Sequence, residues 1–154
     1  MPAEIHHLTP NNIPLLIALL QVFGEAFNEV ETYTASTPSA DYLQRLLGGD
    51  TFIALAAVTN GEVVGGLAAY ELRKFERARS EIYIYDLAVA SGHRREGIAT
   101  ALIRKLKALA AKRGAHVMFV QADTGIEDEP AIALYTKLGK REQVLHFDIA
   151  VDQD

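Results

Sequence analysis

The chain has 154 residues, enough for one ordinary domain, and with 49% hydrophobic residues it can bury a sizeable core. Its formal net charge is −5, which argues against a broad basic face for nucleic acid or anionic membranes and is compatible with a cationic ligand. It has no cysteine, which excludes disulfides, thiolate catalysis and cysteine-ligated metals.

The N-terminal sequence MPAEIHHLTP lacks a basic segment followed by an apolar run, so we expect no secretory signal. There is also no run of about 18 apolar residues, and hence no expected membrane span. These observations predict a cytoplasmic protein.

Helices are predicted at the start of the chain. Thr9-Pro10 is typical of an N-cap followed by proline in the first helical position, and apolar residues at helical spacing predict a helix over 10–23. The acid-rich segment 24–37 predicts a loop or a broken helix. A second short helix is expected over 38–47, where Gly48-Gly49 ends it.

A three-stranded meander follows. We expect strands over 51–59 and 62–72, joined by Asn60-Gly61, a strong signal for a tight hairpin. A charged loop over 73–80 then leads to a third strand over 81–89.

The remaining elements alternate between helix and strand. A helix is predicted over 97–113, a strand over 116–122, a helix over 130–138 and a last strand over 141–151, with an acidic loop at 123–129. Because a helix crosses over between strands 81–89 and 116–122, these two should be parallel neighbours. The fold class is therefore α/β (α+β) with a mixed sheet.

A positively charged loop precedes the helix over 97–113. Residues 94–113 contain seven of the chain's fifteen basic residues and one acid, Glu96. A helix N-terminus has unpaired amides and partial positive charge, so this segment suits a polyanion such as a pyrophosphate. Neither the P-loop pattern nor GxGxxG is present. On the loop alone, a solvated helix face with a capping loop is an equally good interpretation.

The wider context resembles a known superfamily. The segment Arg94-Arg95-Glu96-Gly97-Ile98-Ala99 fits (Q/R)xxGx(G/A), and it follows a strand ending in Asp-Leu-Ala-Val. This resembles the acetyl-CoA signature of the GNAT N-acetyltransferases, whose fold is a mixed central β-sheet with helices on both faces. The resemblance implies a single acetyltransferase domain over 1–154. A second motif, AIALYTKLG at 131–139, resembles the family's next helix, although Lys140 replaces the usual aromatic residue.

The resemblance implies acetyl-CoA as cosubstrate. The loop amides would bind its pyrophosphate, and the preceding strand would pair with its pantetheine arm, with the Val89 amide polarising the thioester carbonyl. The residues expected to bind it are Leu87, Ala88, Val89, Arg94, Arg95, Glu96, Gly97, Ile98, Ala99 and Thr100.

A narrower resemblance extends over about 23–150. EIYIYDLAV, HRREGIATALI, VQAD, PAIALYTKLG, HFDI and TYTASTPSADYL together are similar to the GNAT-type aminoglycoside 3-N-acetyltransferases. This match implies acetyl transfer to the 3-amino group of gentamicin-like antibiotics, which confers resistance, in a cytoplasmic enzyme.

Two residues are the expected catalytic groups. Tyr135 resembles the family's general acid, and an ordinary tyrosine is protonated at neutral pH. Asp86 interrupts an apolar strand beside the expected thioester site, where a carboxylate is costly to bury unless it is paired or functional. We expect Asp86 to act as general base, directly or through water. The alternative for Tyr135 is an aromatic residue of the core, and the alternative for Asp86 is a carboxylate with a structural role.

Acids outnumber bases elsewhere, which suits a cationic substrate. The expected substrate-binding residues are Glu31, Asp86, Asp123, Glu127, Asp128, Glu129 and Asp148. Any one of them taken singly also fits a solvated loop charge. No histidines and carboxylates have metal-ligand spacing, so no metal is expected.

The leading hypothesis is an aminoglycoside 3-N-acetyltransferase that works by direct transfer in a ternary complex, because no cysteine is available for an acyl-enzyme. The alternatives are a polyamine, other small-amine or protein-lysine acetyltransferase, and a non-catalytic acyl-CoA-binding module. The expected partner is a cationic small molecule, not nucleic acid or a membrane. Family analogy suggests a homodimer completed by the last strand.

Overall fold

The structure is a computed structural model that describes residues 2–152. The chain divides into two compact units, the first ending at Gln121 and the second beginning at Ala122. The elements of the first unit are β1 (Glu4–His7), α1 (Ile13–Ala26), α2 (Val30–Thr34), α3 (Ala40–Gly48), β2 (Phe52–Thr59), β3 (Glu62–Arg73), β4 (Ser80–Val89), α4 (Ile98–Arg113) and β5 (Ala115–Val120).

The first unit contains one five-stranded mixed sheet in the order β1-β2-β3-β4-β5. Strands β1 to β4 pair antiparallel and β5 lies parallel to β4, which confirms the predicted meander and crossover. Asn60 and Gly61 both have positive φ, of 52° and 79°, as the predicted tight hairpin requires. Strand β1 was not predicted, because its four residues carry no periodic pattern.

Helices cover both faces of this sheet, as expected. Helices α1 and α3 pack on one face and α4 packs on the other. We refer to these as the α1 face and the α4 face. On the α1 face, a Cβ at Gly66 would lie 2.5 Å from Leu19 Cδ1 and 2.5 Å from the carbonyl oxygen of Leu55. A glycine at this position therefore lets α1 lie directly on β3.

The start of α1 differs from the prediction. Thr9-Pro10 does not cap the helix, which begins at Ile13 after Asn12. The Asn12 Oδ1 accepts hydrogen bonds from the backbone amide and the hydroxyl of Thr9, at 2.8 and 3.1 Å, and so closes a turn before the helix. Pro14 is the proline in the first helical turn. The segment expected as loop or broken helix contains the end of α1 and the short α2.

The second unit has one helix, α5 (Glu129–Leu138), after a 3-10 turn at Ile126–Asp128. The prediction of a strand over 141–151 is wrong: no strand forms in the described part of this unit. Alternation of apolar and polar residues yields a strand only where a neighbouring strand supplies hydrogen bonds. Leu145, Phe147 and Ile149 are accordingly 83%, 76% and 87% exposed.

No helix within residues 2–152 combines the length and the apolar character needed to cross a membrane.

Candidate active site

Strand β4 ends in an open edge. Its pairing with β5 extends only from Ser80 to Ile84, whereas its pairing with β3 continues to Val89. The Ala90 amide donates to the Val64 carbonyl oxygen at 2.8 Å. Because hydrogen-bonding direction alternates along an antiparallel pair, the amides of Leu87 and Val89 point away from β3. These two amides lie on the open edge and are directed towards any ligand that extends the sheet.

The open edge leads into the positively charged loop. Gly97 is the N-cap residue of α4, with φ of 80°, and no side-chain cap hydrogen bond is formed there within the described residues. Within residues 2–152, and apart from Gly97 itself, its chain neighbours and the adjacent helix backbone, nothing lies within 4 Å of the position that a Cβ on Gly97 would take, so the backbone there has room for a ligand. Arg94 and Arg95 are exposed, and the Glu96 carboxylate lies 3.3 Å from the imidazole of His93. The Arg94 Nε donates to the Val89 carbonyl oxygen at 3.5 Å. The loop therefore offers helix N-terminal amides and the positive charges of Arg94 and Arg95 to an anion.

A β-bulge places Asp86 on the α1 face. Ala69 lies opposite Ile84 and Ala68 lies opposite Asp86, so Tyr85 is an extra residue in β4. The sequence did contain a signal for this bulge. Apolar residues at 82 and 84 and at 87 and 89 all face α4, and the odd spacing between the two pairs breaks the two-residue alternation.

Asp86 is held by a residue that the sequence analysis missed. The Tyr33 hydroxyl on α2 donates to Asp86 Oδ1 at 3.1 Å. Burial raises the pKa of Asp86 above the usual aspartate range and the Glu29 carboxylate adds to this rise, while the Tyr33 hydrogen bond opposes it. Burial and the Asp86 charge raise the pKa of Tyr33, so this tyrosine stays protonated and acts as a donor.

Local packing fixes the position of Tyr33. A Cβ on Gly24 would lie 2.9 Å from the Cα of Val30, so α2 packs tightly against the end of α1. The Tyr33 ring lies 6.1 Å from the ring of Phe23 and 5.8 Å from that of Phe27. The hydroxyl is thus directed at Asp86 by an aromatic cluster and a close helix contact.

The first unit thus brings together Asp86, the three residues that follow it in β4, and the loop 94–100. Glu31 lies exposed in the first turn of α2.

The other predicted site residues belong to the second unit. The Asp128 side chain accepts a hydrogen bond from the Asp123 amide at 2.8 Å. Glu127 and Glu129 flank Asp128 at the start of α5. Burial, with a smaller contribution from the Asp128 charge, raises the pKa of Tyr135, so its hydroxyl keeps its proton.

Asp148 forms a separate pair with His146, whose Nε2 lies 2.9 Å from the Asp148 Oδ1.

Known proteins with similar sequences and structures identify the family of this chain. The sequence model of the Acetyltransferase (GNAT) family matches residues 16–140. The crystal structure of an aminoglycoside acetyltransferase from an uncultured soil metagenomic sample shares 68% sequence identity and a TM-score of 0.97, covering 99% of this chain and 100% of its own. Another soil metagenomic aminoglycoside acetyltransferase, in complex with sisomicin, shares 32% identity and a TM-score of 0.87 over 97% of each chain.

Curated relatives are more distant. Probable N-acetyltransferase family 8 member 5 of Mus musculus is 26% identical over 137 residues, or 89% of this chain. The chain spans 59% of that protein's length. The family match covers most of the chain, and the mixed sheet, the open end of β4 and the loop before α4 agree with it. The chain therefore belongs to the GNAT family of acetyltransferases.

Proposed function

We propose that the chain, as one domain over 1–154, transfers an acetyl group from acetyl-CoA to the 3-amino group of gentamicin-like aminoglycosides. The observation that carries this proposal is the position of the Asp86 carboxylate, which accepts a hydrogen bond from Tyr33. Asp86 lies three residues before Val89, on the part of β4 whose outward amides are unpaired. The two similar aminoglycoside acetyltransferases support the substrate class. Transfer is direct in a ternary complex, since the chain has no cysteine to carry an acyl group.

The chain's residues fit acetyl-CoA, which supplies an activated acetyl thioester when bound. The unpaired amides and open backbone at Gly97 suit its pyrophosphate, and Arg94 and Arg95 add positive charge. The loop residues 94–100 would hold the phosphates, and Leu87 to Val89 would pair with the extended arm. The Val89 amide would donate to the thioester carbonyl oxygen and stabilise the negative charge that develops there.

Asp86 acts as the base. An aminoglycoside amine is protonated in water and must lose its proton before its nitrogen can attack the carbonyl carbon. The raised pKa of Asp86 lies closer to the pKa of such an amine, which favours proton transfer. Asp86 accepts the proton directly or through one water, and its charge attracts the ammonium. The nitrogen–carbon bond then forms as the carbon–sulfur bond breaks, and the nitrogen loses its second proton, which restores the proton that the leaving sulfur takes up.

Tyr135 supplies the proton for the departing sulfur. Its raised pKa keeps the hydroxyl protonated at neutral pH, as a general acid for a thiolate requires. The acids Glu31, Asp123, Glu127, Asp128, Glu129 and Asp148 attract and hold the remaining ammonium groups of the substrate.

We also propose that the chain forms a homodimer. The segment 144–151 exposes Leu145, Phe147 and Ile149 at alternate positions, so apolar side chains recur on every second residue of this segment. An unpaired segment of this pattern favours addition to the sheet of another copy. Light scattering on the full chain over a range of concentrations should give the dimer mass, whereas a monomer mass throughout would overturn this point.

Thiol release from acetyl-CoA tests the function. Gentamicin, sisomicin, spermidine and a lysine peptide are offered in parallel, and mass spectrometry with fragmentation locates the acetyl group. Preferred turnover of the aminoglycosides with modification at the 3-amino group supports the proposal. Preference for spermidine or the peptide would favour another amine acetyltransferase, and binding without turnover would favour an acyl-CoA-binding module.

A further inference from the structure

A row of aromatic rings crosses the sheet beside Asp86. The register places one ring at the same level on each of four neighbouring strands, namely Phe52, Tyr70, Tyr83 and Phe119. The ring centroids of Phe52 and Tyr70 are 5.4 Å apart, and the rings of Tyr83 and Phe119 stack at 4.7 Å. The row lies on the α1 face, because Phe52 belongs to the core on that face.

Tyr85, the bulged residue, joins the two halves of the row. Its ring packs edge-on against Tyr70 at 5.9 Å and against Tyr83 at 5.5 Å. It is nevertheless 61% exposed, and Tyr70 is 37% exposed. Strand backbone and ring contacts hold the group in place, so a ligand that binds there orders few side chains.

The neighbouring charges define the ligand. Asp86 directly follows Tyr85 in the chain, and the Glu29 carboxylate is close enough to raise the pKa of Asp86. Aromatic faces carry partial negative charge and attract cations and polarised C–H groups. Flat rings beside carboxylates therefore suit a ligand that has both ring-shaped C–H faces and ammonium groups.

We propose that Tyr85, together with Tyr70 and Tyr83, is a stacking platform for an amino-sugar ring of the substrate and selects ring-bearing amines over acyclic polyamines. This inference rests on the proposed function and deepens it. A rigid amino sugar covers the platform with one face and directs an ammonium towards Asp86. An acyclic polyamine must restrict many single bonds to cover the same area, which disfavours it entropically.

Calorimetric titration of the full chain tests the platform independently of turnover. The ligands are sisomicin, which carries amino-sugar rings, and spermine, an acyclic tetraamine. Tyr85→Leu keeps apolar bulk and removes the ring, and it should weaken sisomicin binding about tenfold. Tyr85→Phe restores the ring and should stay within about threefold of the unaltered chain, as should spermine binding to Tyr85→Leu.

Phe75→Leu is the matched control, because this phenyl group is fully exposed in the hairpin between β3 and β4 and lies outside the row. It should leave both affinities unchanged. Unchanged sisomicin affinity in Tyr85→Leu, equal weakening of sisomicin and spermine, or no sisomicin binding by the unaltered chain would each overturn the platform. If sisomicin binding depends on Tyr85 but sisomicin is not acetylated, the platform stands and the proposed function fails.

Discussion

Tyr33→Phe removes the hydroxyl that donates to Asp86 and leaves the aromatic cluster intact. A hydrogen bond to a charged group contributes about 1.5–3 kcal/mol, and about 1.4 kcal/mol corresponds to one pKa unit. Asp86 is only half-buried, so we take the lower end of this range. Because the Tyr33 bond favours the ionised carboxylate, its loss should raise the pKa of Asp86 by about one unit.

The consequence is visible in the pH dependence of kcat/KM. A base must be ionised to accept a proton, so the acid limb of the profile should move about one unit to higher pH in Tyr33→Phe. Well above this limb, both proteins have an ionised Asp86 and their rates should converge. Thiol release with sisomicin, followed from about pH 4 to about pH 9, measures both features.

Tyr42→Phe is the control, because it makes the same chemical change at a largely exposed tyrosine on α3. Its profile should match that of the unaltered chain. The titration of the substrate amines is common to all three proteins and cancels in the comparison. An acid limb that stays in place in Tyr33→Phe, or moves to lower pH, would refute the assignment of Asp86 as a base tuned by Tyr33.

Three further variants test other contacts. Gly66→Ala puts a methyl group against α1 and should lower the free energy of unfolding by about 1–3 kcal/mol in chemical denaturation; a loss under about 0.5 kcal/mol would show that α1 shifts freely. Tyr135→Phe should reduce kcat by about a hundredfold with little change in CoA affinity by calorimetry, and unchanged kcat would remove Tyr135 from the chemistry. Arg113→Ala leaves the buried Glu71 carboxylate without its partner at 2.7 Å and should destabilise the fold by about 3 kcal/mol at neutral pH. Burial raises the pKa of Glu71, but Ser80 and Arg113 together lower it overall. The part due to Arg113 is therefore present above the unfolded-state pKa of about 4.3 and is lost as the pH falls through the lower folded-state value, so a difference between the two proteins that grows in acid would contradict this account.

Local signals predicted the parts of the fold that depend on local backbone geometry. Asn60-Gly61 supplies two consecutive positive φ angles for a tight turn, and only a few residue types adopt them readily. Gly114, with φ of 81°, ends α4 as a left-handed cap. In both cases the residue type itself carries the conformational preference, so a reader of the sequence can locate the turn.

The features that the sequence did not predict depend on contacts between residues that are distant in the chain. Tyr33 and Asp86 are 53 positions apart, and nothing in either segment indicates the other. Strand β1 forms because β2 offers it an edge, whereas 141–151 has a stronger strand pattern and forms no strand within its own unit. Pairing, rather than intrinsic preference, decides whether such segments become strands.

The extra residue in β4 also acts as a stop. A β4 without Tyr85 would have no bulge, because Asp86 would follow Ile84 directly and would still lie opposite Ala68 on the α1 face. Pairing with β5 ends at Ile84, immediately before the bulge, where a bulged strand bends and twists more strongly. A β4 without the bulge would be free to continue pairing with β5. Hydrogen bonds within the chain would then occupy the amides of Leu87 and Val89. One additional residue thus leaves the end of β4 unpaired on the β5 side, and a ligand can form hydrogen bonds with the strand there.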